Sequence, residues 1–354
     1  MAQALRLAER GLYTTSPNPR VGCVLVRGGE VVGEGWHERA GEPHAEILAL
    51  HAAGKAARGA TAYVTLEPCS HHGRTPPCSD ALIAAGVARV MAAMQDPNPK
   101  VAGKGIAKLH AAGIAVDCGL METTTRDLNI GFVMRMTRGT PWVRSKIAMS
   151  LDGRTALANG ESKWITGEAA RKDVQHWRAR SCAVLTGIGT VLADDARLNV
   201  RDIETQRQPL RVVLDSQLRI PLTARIFKGG NVLIYTAMYN AEKSESLEKA
   251  GASVCVLPNG EGQVDLAVML GDLAKRGCNE VLIESGSTLN GALLRAGLVD
   301  EILLYLAPQL LGNAARGMAQ LGELSSLDQR IDLKWQDMRP FGNDLRIMVK
   351  VNNV

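Results

Sequence analysis

Apolar and polar positions in the first part of the chain fall in short blocks whose period switches between that of a strand and that of a helix. Residues 1–8 carry their apolar side chains as an amphipathic helix would. Val21-Gly22-Cys23-Val24-Leu25-Val26 and Val31-Val32-Gly33-Glu34-Gly35-Trp36 read as hairpin strands joined at Gly28-Gly29. A helix runs through Glu46-Ile47-Leu48-Ala49-Leu50, with Pro43 placed in its first turn, where a missing N–H costs nothing. Thr61-Ala62-Tyr63-Val64-Thr65-Leu66 is a strand by its β-branched and aromatic content. A helix from Cys78 to about Ala85, a strand at Arg89-Val90-Met91-Ala92-Ala93, a helix from Gly103 to Ala112 and a strand at Ile114-Ala115-Val116-Asp117 complete the set. Such alternation predicts a three-layer α/β domain.

The pattern breaks at Thr137-Arg138-Gly139-Thr140-Pro141, dividing the chain into residues 1–138 and 139–354. Beyond the break, short apolar runs start at Trp142, Ala183, Leu210, Val232, Val254, Glu280 and Glu301, with helical stretches between them. Runs of this kind predict a mostly parallel, doubly wound sheet. No internal repeat relates the two halves.

Length supports the division, because 354 residues exceed the roughly 250–300 at which single cores stop growing. An apolar content of 46% and a charged content of 22% are those of an ordinary globular protein. The net charge of +5 is scattered, which suits anionic small molecules and does not call for nucleic acid. No apolar run reaches membrane-spanning length, and the first residues carry no secretory cleavage signature. The seven cysteines are too dispersed for a disulfide framework, so a reducing cytoplasm is expected.

The chemistry concentrates in Pro43-His44-Ala45-Glu46, Pro68-Cys69 and Cys78. His44, Cys69 and Cys78 supply one imidazole and two thiolates, the donor set of a zinc site that keeps its fourth position for water. Zinc lowers the pKa of that water towards about 7. Glu46, which binds no metal, is left to move protons between water and a leaving amine. An H-x-E followed by P-C and a further cysteine is the pattern of hydrolytic nucleobase deaminases.

Two other readings compete. A deaminase acting on RNA predicts the close pair C-x-x-C, whereas eight residues separate Cys69 from Cys78 here. Its aromatic content of 4% also leaves little for base stacking. Purely structural zinc needs a fourth protein ligand, which His71 or His72 could supply. The inserted loop is polar and basic, so His71 and Arg74 are candidate contacts for an anionic substrate, or else part of a solvated turn.

The run H-A-E…T-L-E-P-C-S-H-H-G-R-T-P-P-C resembles the deaminase half of the bifunctional riboflavin-biosynthesis deaminase/reductases. The likeness continues through Met94-Gln95-Asp96-Pro97-Asn98-Pro99, residues 146–154 and Thr190-Val191-Leu192-Ala193-Asp194-Asp195. It implies a cytidine-deaminase-like domain followed by a dihydrofolate-reductase-like domain that uses NADPH. It also implies phosphorylated pyrimidine-ribose substrates and a homo-oligomer, dimer or tetramer. Asn18 then contacts base or ribose, unless it only closes an Asx-turn. Matched residue by residue, Ala148, Trp164, Thr190, Asp194 and the stretch Gly286-Ser287-Thr288-Leu289-Asn290-Gly291-Ala292 fall where the family holds its cofactor. Ser162, Arg178, Leu198, Arg201 and Glu284 fall where it holds the phosphorylated ribose. Arg178 and Arg201 are expected as phosphate forks. Lys146 and Asp194 are candidates for polarising the sugar carbonyl, although Lys146 also reads as a strand-edge lysine. Without the likeness, the glycines of 286–291 do not make G-x-G-x-x-G and read as a tight turn.

Overall fold

The computed structural model describes residues 1–70 and 76–352. These form two compact units, Met1–Thr140 and Pro141–Val354, with the junction two residues beyond the one expected from sequence.

In the first unit, α1 (Ala2–Glu9) precedes the hairpin β1 (Gly22–Arg27) and β2 (Glu30–Trp36), then α2 (Ala45–Ala53), β3 (Thr61–Val64), α3 (Cys78–Ala84), β4 (Arg89–Ala92), α4 (Lys104–Ala111) and β5 (Ala115–Cys118). The sheet order is β2-β1-β3-β4-β5, with β1 antiparallel to β2 and β3, and β3, β4 and β5 parallel. α2 lies close on β2 because two glycines meet its alanines. A Cβ on Gly33 would stand 2.3 Å from the Ala49 carbonyl, and one on Gly35 would stand 2.4 Å from that of Ala45. This contact fixes the helix start on which His44 and Glu46 sit.

Two further helices, α5 (Glu122–Leu128) and α6 (Ile130–Thr137), fill a stretch to which the sequence pattern assigns no element. The junction between them is tied back by Asn129. Its Oδ1 accepts from the Arg20 amide at 2.8 Å, and its amide donates to the Arg20 carbonyl at 2.9 Å. Phe132 and Val133 pack on Leu66 and Met94.

The second unit contains β6 (Trp142–Ser150), β7 (Arg154–Ala156), α7 (Glu168–Arg180), β8 (Ala183–Gly187), α8 (Ile188–Asp194), β9 (Leu210–Leu214), β10 (Val232–Thr236), α9 (Ala241–Lys249), β11 (Ala252–Val256), α10 (Leu266–Lys275), β12 (Glu280–Ile283), α11 (Ser287–Arg295), β13 (Glu301–Ala307), β14 (Arg316–Gly317), β15 (Leu333–Phe341) and β16 (Asp344–Val351). Nine strands order as β11-β10-β9-β8-β12-β6-β13-β16-β15. The first seven are parallel; the C-terminal hairpin β15–β16 adds antiparallel to β13. Both faces of the parallel part are covered, so strands such as β8 and β12 read as continuous apolar runs.

At the centre of this sheet the Arg144 guanidinium, 3% exposed, sits between Glu280 at 3.1 Å and Glu301 and stacks on Trp177 at 4.5 Å. Burial of that charge is tolerable because both carboxylates and the ring satisfy it.

Candidate active sites

His44 is the N-cap of α2, in extended conformation, so Pro43 stands just before the helix and not within its first turn. β3 carries the chain to Cys69, and Cys78 is the first residue of α3. The ligand atoms of His44, Cys69 and Cys78 lie within 4.8 Å of one another. The individual gaps are 3.2 Å from His44 Nδ1 to Cys78 Sγ and 3.7 Å from His44 Nδ1 to Cys69 Sγ. Nitrogen–sulfur edges of a tetrahedron built on ordinary zinc bond lengths are about 3.5 Å, so the three atoms fit that ion.

The protons fit as well. A hydrogen bond from the Cys78 thiol, opposed by burial and aided by His44, brings Cys69 down to about 4. The Cys78 amide also donates to Cys69 Sγ at 3.3 Å. Cys78 is pushed up by the thiolate that it faces. His44 is raised, chiefly by its hydrogen bond to Cys69. The neighbouring groups favour the thiolate form of Cys69, and the remaining thiol proton would be displaced on metal binding.

Glu46 is 3% exposed and borders the same cavity, of about 450 Å³, as His44, Cys69 and Asn18. Burial lifts its carboxyl to about 7, with His44 opposing. Asn18 does not merely close a turn: its amide donates to His37 Nε2 at 3.1 Å, while His37 Nδ1 meets the Pro43 carbonyl at 3.1 Å. Those two partners place the proton of a neutral ring on Nδ1, and burial keeps the ring neutral. His71, Arg74 and the alternative ligand His72 lie outside the described residues.

His37, Glu67, Asp96, Asn98 and Phe132 also line this cavity, and sequence reasoning did not single them out as site residues. Asp96 and Asn98 carried a signal, the D-P-N-P run after β4. His37 and Phe132 carried none.

In the second unit a cavity of about 1600 Å³ opens at the carboxyl ends of the parallel strands, where ligand sites of such sheets gather. Lys146, Ala148, Ser162, Trp164, Arg178, Thr190, Asp194, Leu198, Arg201 and Glu284 line it, together with Gly286, Ser287, Thr288, Leu289 and Ala292. Asn290 and Gly291 do not. The Asn290 side chain is buried, accepting from Ser285 Oγ at 2.7 Å and donating to the Met318 carbonyl at 3.1 Å. Gly291 packs on Gln320, whose carbonyl would lie 2.1 Å from a Cβ. These two residues shape the turn and do not line the cavity.

Arg178 also differs from the open fork expected of it. Its Nε and Nη2 donate to the two oxygens of Glu284 at 2.6 and 2.8 Å, and Nη1 donates to the Asn199 carbonyl at 2.9 Å. Arg201 is the more exposed of the two arginines. The Lys146 ammonium is pushed down by burial and by Arg178, against the pull of Glu284. Asp194 pairs with Lys163 at 3.7 Å, and Arg171 stacks on Trp164 at 4.6 Å. Arg171, Arg197 and Arg219 add positive charge to the lining.

Comparison with known proteins supplies the assignment. Residues 1–94 match the family model "Cytidine and deoxycytidylate deaminase zinc-binding region", and residues 141–347 match "RibD C-terminal domain". The riboflavin biosynthesis protein RibD of Escherichia coli is 52% identical, with 98% of this chain and 96% of that protein covered. Its counterpart in Aquifex aeolicus is 40% identical over 99% and 97%. Acinetobacter baumannii RibD superposes with a TM-score of 0.93 at 48% identity, covering 99% and 97% of the two chains. A deaminase/reductase structure from Thermotoga maritima superposes at 0.88 with 34% identity, over 99% and 97%. Among the described residues no helix is long and apolar enough to cross a membrane. A cytidine-deaminase-like unit followed by a reductase unit, matched from end to end by these relatives, places the chain in the RibD family of bifunctional zinc- and NADPH-dependent deaminase/reductases of riboflavin biosynthesis.

Proposed function

We propose that the first unit deaminates 2,5-diamino-6-(5-phosphoribosylamino)pyrimidin-4(3H)-one. The second then reduces the ribosyl group of the product, 5-amino-6-(5-phosphoribosylamino)uracil, to ribityl. The observation that carries this reading is the convergence of His44, Cys69 and Cys78 on one point beside the buried, non-ligating Glu46. The Thermotoga maritima relative is a diaminohydroxyphosphoribosylaminopyrimidine deaminase and 5-amino-6-(5-phosphoribosylamino)uracil reductase, which names the substrate pair.

In the deaminase, His44, Cys69 and Cys78 would hold zinc, which would supply Lewis acidity to the attacking water. Glu46 accepts the proton of the attacking water at a carboxylate oxygen and passes it to the departing amine. One carbon–oxygen bond forms and one carbon–nitrogen bond breaks, and ammonia leaves. His37 and Asn18, locked to one another, present a fixed polar edge to the ring. His71 and Arg74 are assigned to the substrate's anionic end.

In the reductase, NADPH supplies the hydride. Trp164, Thr190, Asp194 and the turn at Gly286–Leu289 would hold it, the turn offering backbone N–H groups at the start of α11. Arg201, with Ser162 and Leu198 on the same cavity lining, takes the substrate phosphate. The Arg178–Glu284 pair orients the ribose. Lys146 donates the proton to the carbonyl oxygen, since its ammonium is destabilised by burial while Asp194 is already engaged by Lys163.

Stripping zinc with a chelator is expected to stop ammonia release and to leave NADPH oxidation intact when the uracil intermediate is supplied. Readdition of zinc restores the first activity. Loss of both activities on chelation would contradict the separate assignment.

The same reading places the chain in the cytoplasm, consistent with seven free cysteines. It also makes the chain a homo-oligomer. β15 is the open edge of the nine-stranded sheet and exposes Leu333, Trp335 and Met338. An edge of that kind is a template for pairing with a second copy. Trp335→Asp is expected to shift the mass in light scattering to that of the monomer; an unchanged mass would remove β15 from the interface.

A further inference from the structure

Glu67 follows β3 and stands two residues before the ligand Cys69, yet it is not one of the grouped metal-ligating side chains. It is 3% exposed and borders the deaminase cavity. Its two oxygens accept from four backbone amides. Oε1 takes those of Gly105 at 2.9 Å and Ile106 at 3.2 Å, and Oε2 takes those of Gly103 at 2.9 Å and Asp96 at 3.1 Å. Three of these amides belong to the start of α4, which has no side-chain cap of its own because its N-cap residue is Gly103 at φ 75°. A helix begins with orphan N–H groups that need acceptors. Glu67 supplies them from a distant segment, and its charge complements the positive end of the helix.

The contact works in both directions. The Glu67 amide donates to the Met94 carbonyl at 3.0 Å, and Gly105 comes so close to Pro68 that a Cβ would stand 1.9 Å from its carbonyl oxygen. The Pro68–Cys69 segment, the turn after β4 and the start of α4 are thus clamped at one carboxylate. From Asp96 the constraint is passed on. Its Oδ1 accepts from the Asn98 amide at 2.8 Å, and the Asn98 carbonyl accepts from Val101 and Ala102, both at 2.9 Å. Asp96, Asn98 and Val101 form one wall of the cavity that Cys69 also borders.

We propose that Glu67 is a positioning residue of the deaminase. It sets the spacing between the ligand Cys69 and the Asp96–Val101 wall against which the substrate ring seats. It therefore governs how tightly substrate is held and takes no part in the proton transfer of Glu46. This rests on the function proposed above.

The test uses the full-length, zinc-loaded protein with the diaminopyrimidine substrate. Wild-type ammonia release is measured first; its absence would overturn the functional reading and this inference with it. Glu67→Gln keeps the volume and one accepting oxygen, but turns an NH2 group on two backbone donors. Gly105→Ala presses on the same junction from the α4 side and leaves the carboxylate in place. Each variant is expected to keep its zinc and its NADPH oxidation on the uracil intermediate, and to raise the deamination KM about tenfold with little change in kcat. A fall in melting temperature with KM and kcat unchanged would reduce Glu67 to a helix cap and overturn the proposal. So would a fall in kcat at constant KM, or loss of zinc from both variants.

Discussion

Glu46→Gln is expected to lower ammonia release by about two to four orders of magnitude, the usual worth of a positioned general acid–base. Zinc content and NADPH oxidation should not change. The side chain is buried in the cavity wall beside the three ligands and is not counted among them, so the amide removes proton transfer and leaves the donor set alone. Metal analysis together with an ammonia assay checks this. A variant that released ammonia at the wild-type rate would move the general base elsewhere in the cavity. His37, whose ring centroid lies 5.3 Å from that of His44, would be the next candidate.

The second large effect belongs to the reductase. Glu284→Gln strips the Arg178 guanidinium of its bidentate counter-charge at a site where the two side chains are only 9% and 13% exposed. Breaking a buried pair by removing one partner costs about 3–5 kcal/mol, because the remaining charge is left uncompensated. The C-terminal unit should therefore unfold at clearly lower denaturant concentration than in the wild type.

A pH dependence follows from the same pair. Although burial opposes it, Arg178, Lys146 and Arg201 together hold the Glu284 carboxyl below its ordinary 4.5. A depressed carboxylate contributes stability in full above the unfolded value, and that contribution is lost as pH falls through the lower folded value. The wild type should accordingly lose this increment only below about pH 4.5, and the variant should lack it at every pH. Because Glu284 supports the Lys146 charge, its removal should also move the alkaline limb of NADPH oxidation to lower pH. Equal unfolding midpoints in the two proteins would show that the ion pair carries no structural load.

The parts of these sites that lie close together in sequence could be read from it. His44 and Glu46 sit on one turn, and Cys69 and Cys78 each adjoin a proline at a strand or helix end, so donor type and spacing sufficed. Pairings across long separations could not be read. Arg178 and Glu284 are 106 residues apart and both looked like ligand contacts, and only the fold shows that they neutralise each other. Asn290 and Gly291 were grouped with their cavity-lining neighbours because a turn-to-helix segment does not disclose which of its residues point inwards.

Helices α5 and α6 went unpredicted for a different reason. In α5, Thr123-Thr124-Thr125 disfavours a helix locally; α6 is held by the packing of Phe132 and Val133 on Leu66 and Met94. The C-terminal hairpin was missed as well. β15 presents exposed residues nearly throughout, so it lacks the buried alternation by which strands are recognised.

The most direct test of the account follows both chemistries in one tube. Zinc-loaded protein is given the diaminopyrimidine ribosyl phosphate without NADPH, and the dinucleotide is added after ammonia release has stopped. Ammonia in proportion to substrate is expected, with accumulation of the uracil, its ribosyl group intact. NADPH should then be oxidised in equal amount as the ribosyl group becomes ribityl. No ammonia before the dinucleotide is added but NADPH oxidised on its addition, or ammonia with no subsequent oxidation, would contradict the claim that this chain performs the two reactions in that order.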